Sequence, residues 1–162
     1  MNLEQYGSLA FFNGLNVEDL QALAPFFTSV TYVAGTTIFQ QGELATNLYL
    51  VARGEVAIRY KPDDGPTMTV TRIQPGGIFG WSSAVGNITY TSGAVCSLDS
   101  EVLSIRGTEL RRLCDSNPRI GVLLLGRLSL VVAERQHGKP DKVASTLANG
   151  FRQVNGSGDN QS

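Results

Sequence analysis

Gly76-Gly77-Ile78-Phe79-Gly80-Trp81-Ser82-Ser83 is the stretch of this chain that decides its fold. Three glycines in five residues allow backbone conformations that other residues avoid, and two serines follow them. A bend of this kind can present backbone N–H groups to a ligand. The segment then runs on to a strand-like stretch at Ser92–Cys96. We therefore expect it to form the backbone frame of a pocket between two strands.

On both sides of this frame the sequence consists of short β-type runs separated by turn residues. The runs are Ser29–Val33, Thr36–Gln40, Asn47–Arg53, Glu55–Tyr60, Met68–Ile73, Ser92–Cys96 and Glu101–Ile105. Pro62-Asp63-Asp64-Gly65-Pro66 has the composition of a hairpin turn. Short runs spaced by about ten residues predict an all-β sandwich or barrel.

The two ends of the chain carry helical patterns instead. Asn16 is placed to cap a short helix that Pro25 limits, and Thr108 is placed to cap another through Cys114. Pro118 then opens a long amphipathic helix that Gly138-Lys139-Pro140 ends. Residues 1–138 are thus expected to form one domain, and residues 139–162 a polar tail, flexible or helical at Lys142–Phe151.

Composition excludes several classes of function. The chain has 162 residues with 13 basic and 14 acidic side chains, so its formal charge of -1 predicts neither nucleic acid nor membrane as a partner. Cys96 and Cys114 lack metal-ligand spacing, and His137 lies beyond the β-type runs. We therefore expect no metal, no cofactor, no catalytic residues and no enzymatic activity. Reduced thiols, the absence of a signal peptide and an apolar run broken by Arg127 favour a cytoplasmic protein.

Taken together, five motifs identify a known family. They are Phe12-Asn13-Gly14-Leu15, Val33-Ala34-Gly35-Thr36-Thr37-Ile38-Phe39-Gln40-Gln41-Gly42-Glu43, Leu48-Tyr49-Leu50-Val51-Ala52-Arg53-Gly54-Glu55-Val56, Pro75-Gly76-Gly77-Ile78-Phe79-Gly80 and Asn117-Pro118. With the order helix, strands, helix, long helix, the chain from about Leu9 to Arg135 resembles a cyclic nucleotide-binding domain of the catabolite activator and Fnr-like sensors. The resemblance implies a mainly β fold, a double-stranded β-helix or jelly roll, with a short N-terminal and a longer C-terminal helix.

The same resemblance locates a candidate ligand site and shows two departures from the family. Members that bind cyclic nucleotides carry a Glu for the ribose after Phe-Gly and, further on, an Arg for the phosphate. Here Trp81 stands at the Glu position, and the Arg position falls within Thr89–Thr91. The candidate ligand-binding residues are Phe79, Gly80, Trp81, Ser82, Ser83, Thr89, Tyr90 and Thr91. Trp81 either lines a pocket for a ring or fills the space of the ribose, and Tyr90 has the same two interpretations.

These observations predict a non-enzymatic sensor or regulatory module with an atypical small-molecule ligand, nucleotide-like or other. Two alternatives stay open, namely a degenerate domain acting only by protein–protein interaction, and a weak binder of cAMP or cGMP. The apolar face of the long helix and the family resemblance predict a homodimer through that helix. An effector protein is expected to respond to its position. Because the chain ends soon after this helix, we expect a stand-alone module without a helix-turn-helix.

Overall fold

The computed structural model describes residues 1–84 and 87–136, except for the side chains of residues 83, 135 and 136. The α-helices are α1 (Val17–Leu23), α2 (Gly107–Ser116) and α3 (Pro118–Gln136). The strands are β1 (Phe27–Tyr32), β2 (Thr37–Phe39), β3 (Asn47–Arg53), β4 (Val56–Tyr60), β5 (Met68–Ile73), β6 (Ile78–Phe79), β7 (Gly93–Cys96) and β8 (Ser100–Arg106). Four short 3-10 helices lie at Leu3–Tyr6, Ala10–Phe12, Ala24–Phe26 and Trp81–Ser83.

The strands form two antiparallel sheets that face each other. The first sheet has the order β1-β8-β3-β6 and the second the order β2-β7-β4-β5. This confirms the predicted mainly β jelly roll with helices at both ends, and the predicted hairpin turn does join β4 to β5. Strand β6 was not predicted, because a strand of two residues between glycines has no alternation to reveal it.

Two apolar cores lie on opposite faces of the first sheet. One is filled from both sheets and includes Phe39, Val51, Ile58 and Val102. The other packs the opposite face of the first sheet against the helices and contains, among others, Phe12, Leu103 and Leu124. The first sheet is therefore covered on both faces, and its outer cover is the helical layer.

The predicted starts of α1 and α3 are confirmed, and the predicted start of α2 is wrong. Asn16 caps α1, since its Oδ1 accepts from the Asp19 N–H at 2.8 Å while the Asp19 carboxylate accepts from the Asn16 N–H at 3.1 Å. Pro118 opens α3 as expected. Thr108 does not cap α2, because the helix already begins at Gly107 and Arg106 occupies the N-cap position. The Arg106 side chain makes no cap hydrogen bond. Ser, Thr, Asp and Asn are the usual N-cap residues, so capping preferences do not predict an Arg at this position.

Polar contacts tie α3 to the N-terminal segment. The Arg119 guanidinium pairs with the buried Asp19 carboxylate of α1. Arg127 donates to the carbonyls of Ala10 and Phe11, at 3.2 and 2.8 Å. These contacts hold the N-terminal helices and α3 as one layer over the first sheet.

Some sequence-based expectations fall outside the described residues. They concern His137, the helix end at Gly138–Pro140, the helix at Lys142–Phe151 and the tail 139–162. Within the described ranges, no helix is long and apolar enough to cross a membrane. The same ranges contain no group of three or more His, Cys, Asp or Glu side chains arranged for a metal ion. Cys96 is buried between the sheets and Cys114 is half-buried, and burial raises the pKa of the Cys114 thiol to about 11.

Candidate functional site

Gly80 fixes the turn that leads from β6 into the candidate site. Its φ of 74° and ψ of 31° are left-handed, and an added Cβ would lie 3.0 Å from Tyr49 Cδ2 and 3.2 Å from the Asn47 carbonyl oxygen. A side chain at this position would therefore be strained by the backbone conformation and would press on its neighbours. The turn directs the chain into the 3-10 helix Trp81–Ser83, which carries three of the predicted site residues.

A small cavity lies where the sequence places the ligand site. Its described lining is Phe39, Ile58, Phe79, Gly80, Trp81, Ser82, Tyr90, Thr91, Ser92 and Gly93. Six of the eight predicted residues are in this lining, whereas Thr89 is exposed and instead forms a β-bridge with Leu44. The side chain of Ser83 lies outside the described residues. The cavity measures about 30 Å³, which is room for one or two water molecules.

Aromatic rings build the inner wall of the cavity. Phe39 stacks on Tyr90 with ring centroids 3.7 Å apart and planes at 16°. Tyr49 and Phe79 stack at 5.1 Å and 12°, and Phe39 joins the two pairs. Phe39 and Ile58 belong to strands that are far from Trp81 in the sequence. They were not predicted as site residues, since the sequence of these strands shows only that the two residues are apolar. Their place in the site follows from the pairing of the sheets.

Tyr90 is folded into the body of the domain. Its side chain is 3% exposed. Its hydroxyl donates to the Asn47 carbonyl at 2.7 Å and accepts from the Asn47 N–H at 3.0 Å. Burial raises the pKa of the Tyr90 hydroxyl, although these hydrogen bonds oppose the rise. The ring thus forms the wall of the cavity, while the hydroxyl is engaged by the backbone of β3.

The loop that carries Tyr90 is held by its own backbone as well. The Tyr90 N–H donates to the Glu43 carbonyl, and the Gly42 N–H donates to the Tyr90 carbonyl, both at 2.9 Å. Trp81, on the other side of the cavity, is half-buried and also packs against the core beneath the helices. Trp81 thus lines the cavity and also fills space in the core, so the structure is compatible with both interpretations of this residue.

The described lining of the cavity contains no charged side chain. The positively charged residue Arg59 lies near the end of β4, where its backbone pairs with that of Gly93 in β7. Its guanidinium donates to the Thr69 hydroxyl at 3.1 Å, across the β4–β5 hairpin. The polar side chains among the described lining are neutral, and they include those of Ser82, Thr91 and Ser92.

A family model described as the cyclic nucleotide-binding domain matches residues 29–117. Among curated proteins, the "Cyclic AMP receptor protein" of Thermus thermophilus is 33% identical over 94 residues, which are 58% of this chain and 44% of that protein. The cAMP-activated global transcriptional regulator of Escherichia coli O157:H7 is 30% identical over 115 residues, or 70% of this chain and 53% of that protein. The chain thus spans about half the length of these curated relatives.

Solved structures share the fold. A protein of Geobacter metallireducens named for cyclic nucleotide binding is 30% identical, with a TM-score of 0.72 over 85% of this chain and 99% of that one. The regulatory subunit of a cAMP-independent protein kinase A from Trypanosoma brucei has a TM-score of 0.67 over 79% of this chain and 46% of that one. At 20% identity, it shows the fold alone.

Proposed function

Since the chain belongs to the family of cyclic nucleotide-binding domains, we propose that it is a regulatory module whose pocket takes an uncharged small molecule in place of a cyclic nucleotide. The observation that carries this proposal is the lining of the cavity, which is aromatic and hydroxylic and has no charged side chain among the described residues. The module is non-enzymatic, in keeping with relatives that are named as receptors and transcriptional regulators.

A cyclic phosphate would lack a counter-charge in this cavity. Burying an anion without a positive partner or several N–H donors costs several kcal/mol. Neutral hydroxyls such as those of Ser82 and Thr91 bind a phosphate less strongly than the fork of an arginine does. The same wall suits a flat, uncharged ring, which can stack on Phe39 or Trp81 and accept from a hydroxyl.

Entry of a ligand requires that Tyr90 moves. The cavity of about 30 Å³ is far smaller than the 300–1,000 Å³ or so of ordinary small-molecule sites. Tyr90 stands in the segment where the family resemblance places the phosphate-binding Arg, and its buried ring walls off the cavity from the space behind it. A ligand that takes the place of this ring selects an open state in which the Asn47 backbone and the loop around Tyr90 are released.

Such a change would reach α3 through packed contacts. Trp81 packs against the core beneath the helices, and Asp19 and Arg127 hold α3 to the N-terminal segment. An effector protein would then respond to the position of α3. A homodimer through this helix fits its exposed apolar face, on which Val122 and Leu130 are 71% and 61% exposed.

A second candidate function is protein–protein interaction without any small molecule. It is favoured by the small volume of the cavity and by the two hydrogen bonds of the Tyr90 hydroxyl, because both are expected of a pocket that is permanently filled. Weak binding of cAMP or cGMP is the third alternative.

Thermal unfolding in the presence of ligands separates these candidates. The panel contains uncharged nucleosides and aromatic metabolites on one side and cAMP and cGMP on the other. A ligand at a hundred times its Kd stabilises a fold by about 2.7 kcal/mol, a shift of several degrees. We expect a shift with a member of the uncharged group and none with the cyclic nucleotides. A shift with cAMP alone would refute the proposal, and no shift at all would favour the interaction module.

A further inference from the structure

The Tyr90 hydroxyl is paired with both backbone polar groups of one residue at the start of β3. The register of β6 against β3 covers Tyr49 and Leu50 and ends before Asn47. The Asn47 N–H donates to the Tyr90 hydroxyl at 3.0 Å, and the same hydroxyl donates to the Asn47 carbonyl at 2.7 Å. One backbone donor and one backbone acceptor thus lie within reach of a single hydroxyl group.

The surroundings of the Tyr90 ring suit a flat, uncharged group. Phe39 stacks on this ring with centroids 3.7 Å apart, and Tyr49 and Phe79 continue the aromatic wall around Phe39. Burial raises the pKa of the Tyr90 hydroxyl, so a hydroxyl at this place keeps its proton. The place of the ring therefore combines an aromatic face with a donor and an acceptor at one end.

The loop that carries Tyr90 has backbone contacts that do not involve the ring. The Tyr90 N–H donates to the Glu43 carbonyl, and the Gly42 N–H donates to the Tyr90 carbonyl. Removal of the ring is therefore expected to leave a ring-sized space that adjoins the cavity of about 30 Å³. In that space the Asn47 N–H and carbonyl lose their partner, which is unfavourable unless a ligand supplies a new one.

We propose that the place of the Tyr90 ring recognises a neutral phenol, with the ligand ring on Phe39 and its hydroxyl between the Asn47 N–H and carbonyl. This inference rests on the proposed function, because it names the class of uncharged ring for which Tyr90 gives way. A hydroxyl can accept from an N–H and donate to a carbonyl at the same time, whereas a hydrocarbon ring pairs with neither. Sites built to hydrogen-bond a hydroxyl strongly reject the analogue that lacks it.

Isothermal titration of Tyr90→Ala with para-cresol and with toluene tests the proposal. These two compounds are the side chains of tyrosine and phenylalanine as free molecules, so they differ only in the hydroxyl. We expect para-cresol to bind at least tenfold more tightly, and in amide NMR spectra we expect it to shift the Asn47 signal more than toluene does. If Tyr90→Ala is unfolded alone, circular dichroism compares the two compounds as ligands that restore the fold, and the same preference is expected.

Phe39→Ala is the matched control. It removes a buried ring from the same stack but keeps Tyr90, whose hydroxyl still engages the Asn47 backbone. The space that it leaves is therefore expected to bind toluene at least as tightly as para-cresol.

Three results would overturn the proposal. They are the absence of para-cresol binding or rescue at millimolar concentration, equal binding of toluene and para-cresol by Tyr90→Ala, and an equally strong preference for para-cresol in Phe39→Ala. None of them refutes the proposed function, which requires only that the wild type responds to an uncharged ring. Conversely, a preference for para-cresol in Tyr90→Ala would support this recognition even if the wild type shows no thermal shift with any uncharged compound, a result that counts against the proposed function alone.

Discussion

Tyr90 is the residue on which the character of the candidate site depends. The family resemblance narrows the position of the phosphate-binding Arg to Thr89–Thr91, and of these three side chains only that of Tyr90 is buried. Its ring stacks on Phe39 and its hydroxyl bonds to Asn47. Under the proposed function, this neutral aromatic side chain stands in the segment where the family resemblance implies a charged anchor, and its hydroxyl is engaged by the Asn47 backbone.

Restoring the charged anchors should create cyclic nucleotide binding. Replacing Trp81 by Glu and Tyr90 by Arg supplies a ribose acceptor and a phosphate partner, and it also removes the ring that forms the inner wall of the cavity. We expect the double variant to bind cAMP with a measurable Kd in equilibrium titration, where the wild type shows none. The control combines Trp81→Glu with Thr91→Arg, because Thr91 is exposed and its replacement leaves the Tyr90 ring in place. Equal binding by both double variants would show that Tyr90 does not close the pocket.

Tyr90→Phe isolates the role of the hydroxyl. The variant keeps the stack on Phe39 but leaves the Asn47 N–H and carbonyl without their side-chain partner. We expect the free energy of unfolding to fall by about 1–3 kcal/mol in urea denaturation, the usual cost of a lost partner at a part-buried site. The control is Tyr60→Phe, whose side chain is 41% exposed and should change stability by less than about 0.5 kcal/mol. A Tyr90→Phe protein as stable as the wild type would mean that the loop is held by its backbone contacts alone.

Among the elements, α2 and α3 meet at a glycine. A Cβ at Gly121 would lie 2.7 Å from Cys114 Cα and 3.0 Å from Cys114 Sγ, so the two helices approach each other too closely for any side chain there. Gly126, five residues further along α3, has open space around its Cβ position. The same helix therefore contains one glycine that packing requires and one that it does not.

Alanine at these two positions should have opposite effects on stability. Gly121→Ala forces α2 and α3 apart and is expected to destabilise the fold by about 1–3 kcal/mol, the usual cost of overpacking. Gly126→Ala adds no contact and should stabilise it by about 0.5–1 kcal/mol, because alanine has the higher helix propensity. Thermal or urea unfolding of both variants measures the difference. Equal effects of the two changes would contradict the close packing of α2 against α3.

The ion pair between α1 and α3 makes the stability of the helical layer depend on pH. Burial alone would raise the pKa of Asp19, but the Asn16 N–H and the Arg119 guanidinium hold it below its ordinary value. A carboxyl whose pKa is lowered on folding stabilises the protein above its unfolded pKa of about 4, and this stabilisation is lost as pH falls through the folded pKa.

Asp19→Asn should therefore lower the free energy of unfolding at pH 7 and lose its effect in acid. Urea denaturation from pH 7 down to pH 2 is expected to show the two stability curves converging below pH 4 or so. Glu18→Gln is the control, since Glu18 is the exposed neighbour in the same helical turn and no described ion pair or side-chain hydrogen bond involves it. If the wild type stays more stable than Asp19→Asn by the same free energy down to pH 2, the stabilisation comes from capping by the neutral Asp19 side chain and not from its charge.

At the scale of the whole molecule, local signals predicted an all-β sandwich or barrel with helices at both ends, whereas the jelly roll was implied by the family resemblance. The apolar run in Asn47–Arg53, the turn chemistry at Pro62–Pro66 and the cap at Asn16 each act within a few residues. The site was predictable only where it follows the Phe79–Gly80 motif along the chain. Phe39 and Ile58 enter it through sheet pairing, and the volume of the cavity depends on how Tyr90 packs, which a linear pattern does not specify.

The exposed apolar face of α3 leads to a prediction about assembly. Leu124 and Leu128 of α3 are buried in the core beneath the helices, while Val122 and Leu130 lie on an exposed face of the same helix. We expect the wild type to be a dimer in light scattering and Leu130→Glu to be a monomer of unchanged fold, since a charge on an exposed apolar face disfavours association and leaves the core intact. Leu128→Ala serves as the contrast. It should destabilise the fold by about 2–5 kcal/mol through the cavity it leaves. A wild type that is monomeric at high concentration would show that this face does not mediate self-association.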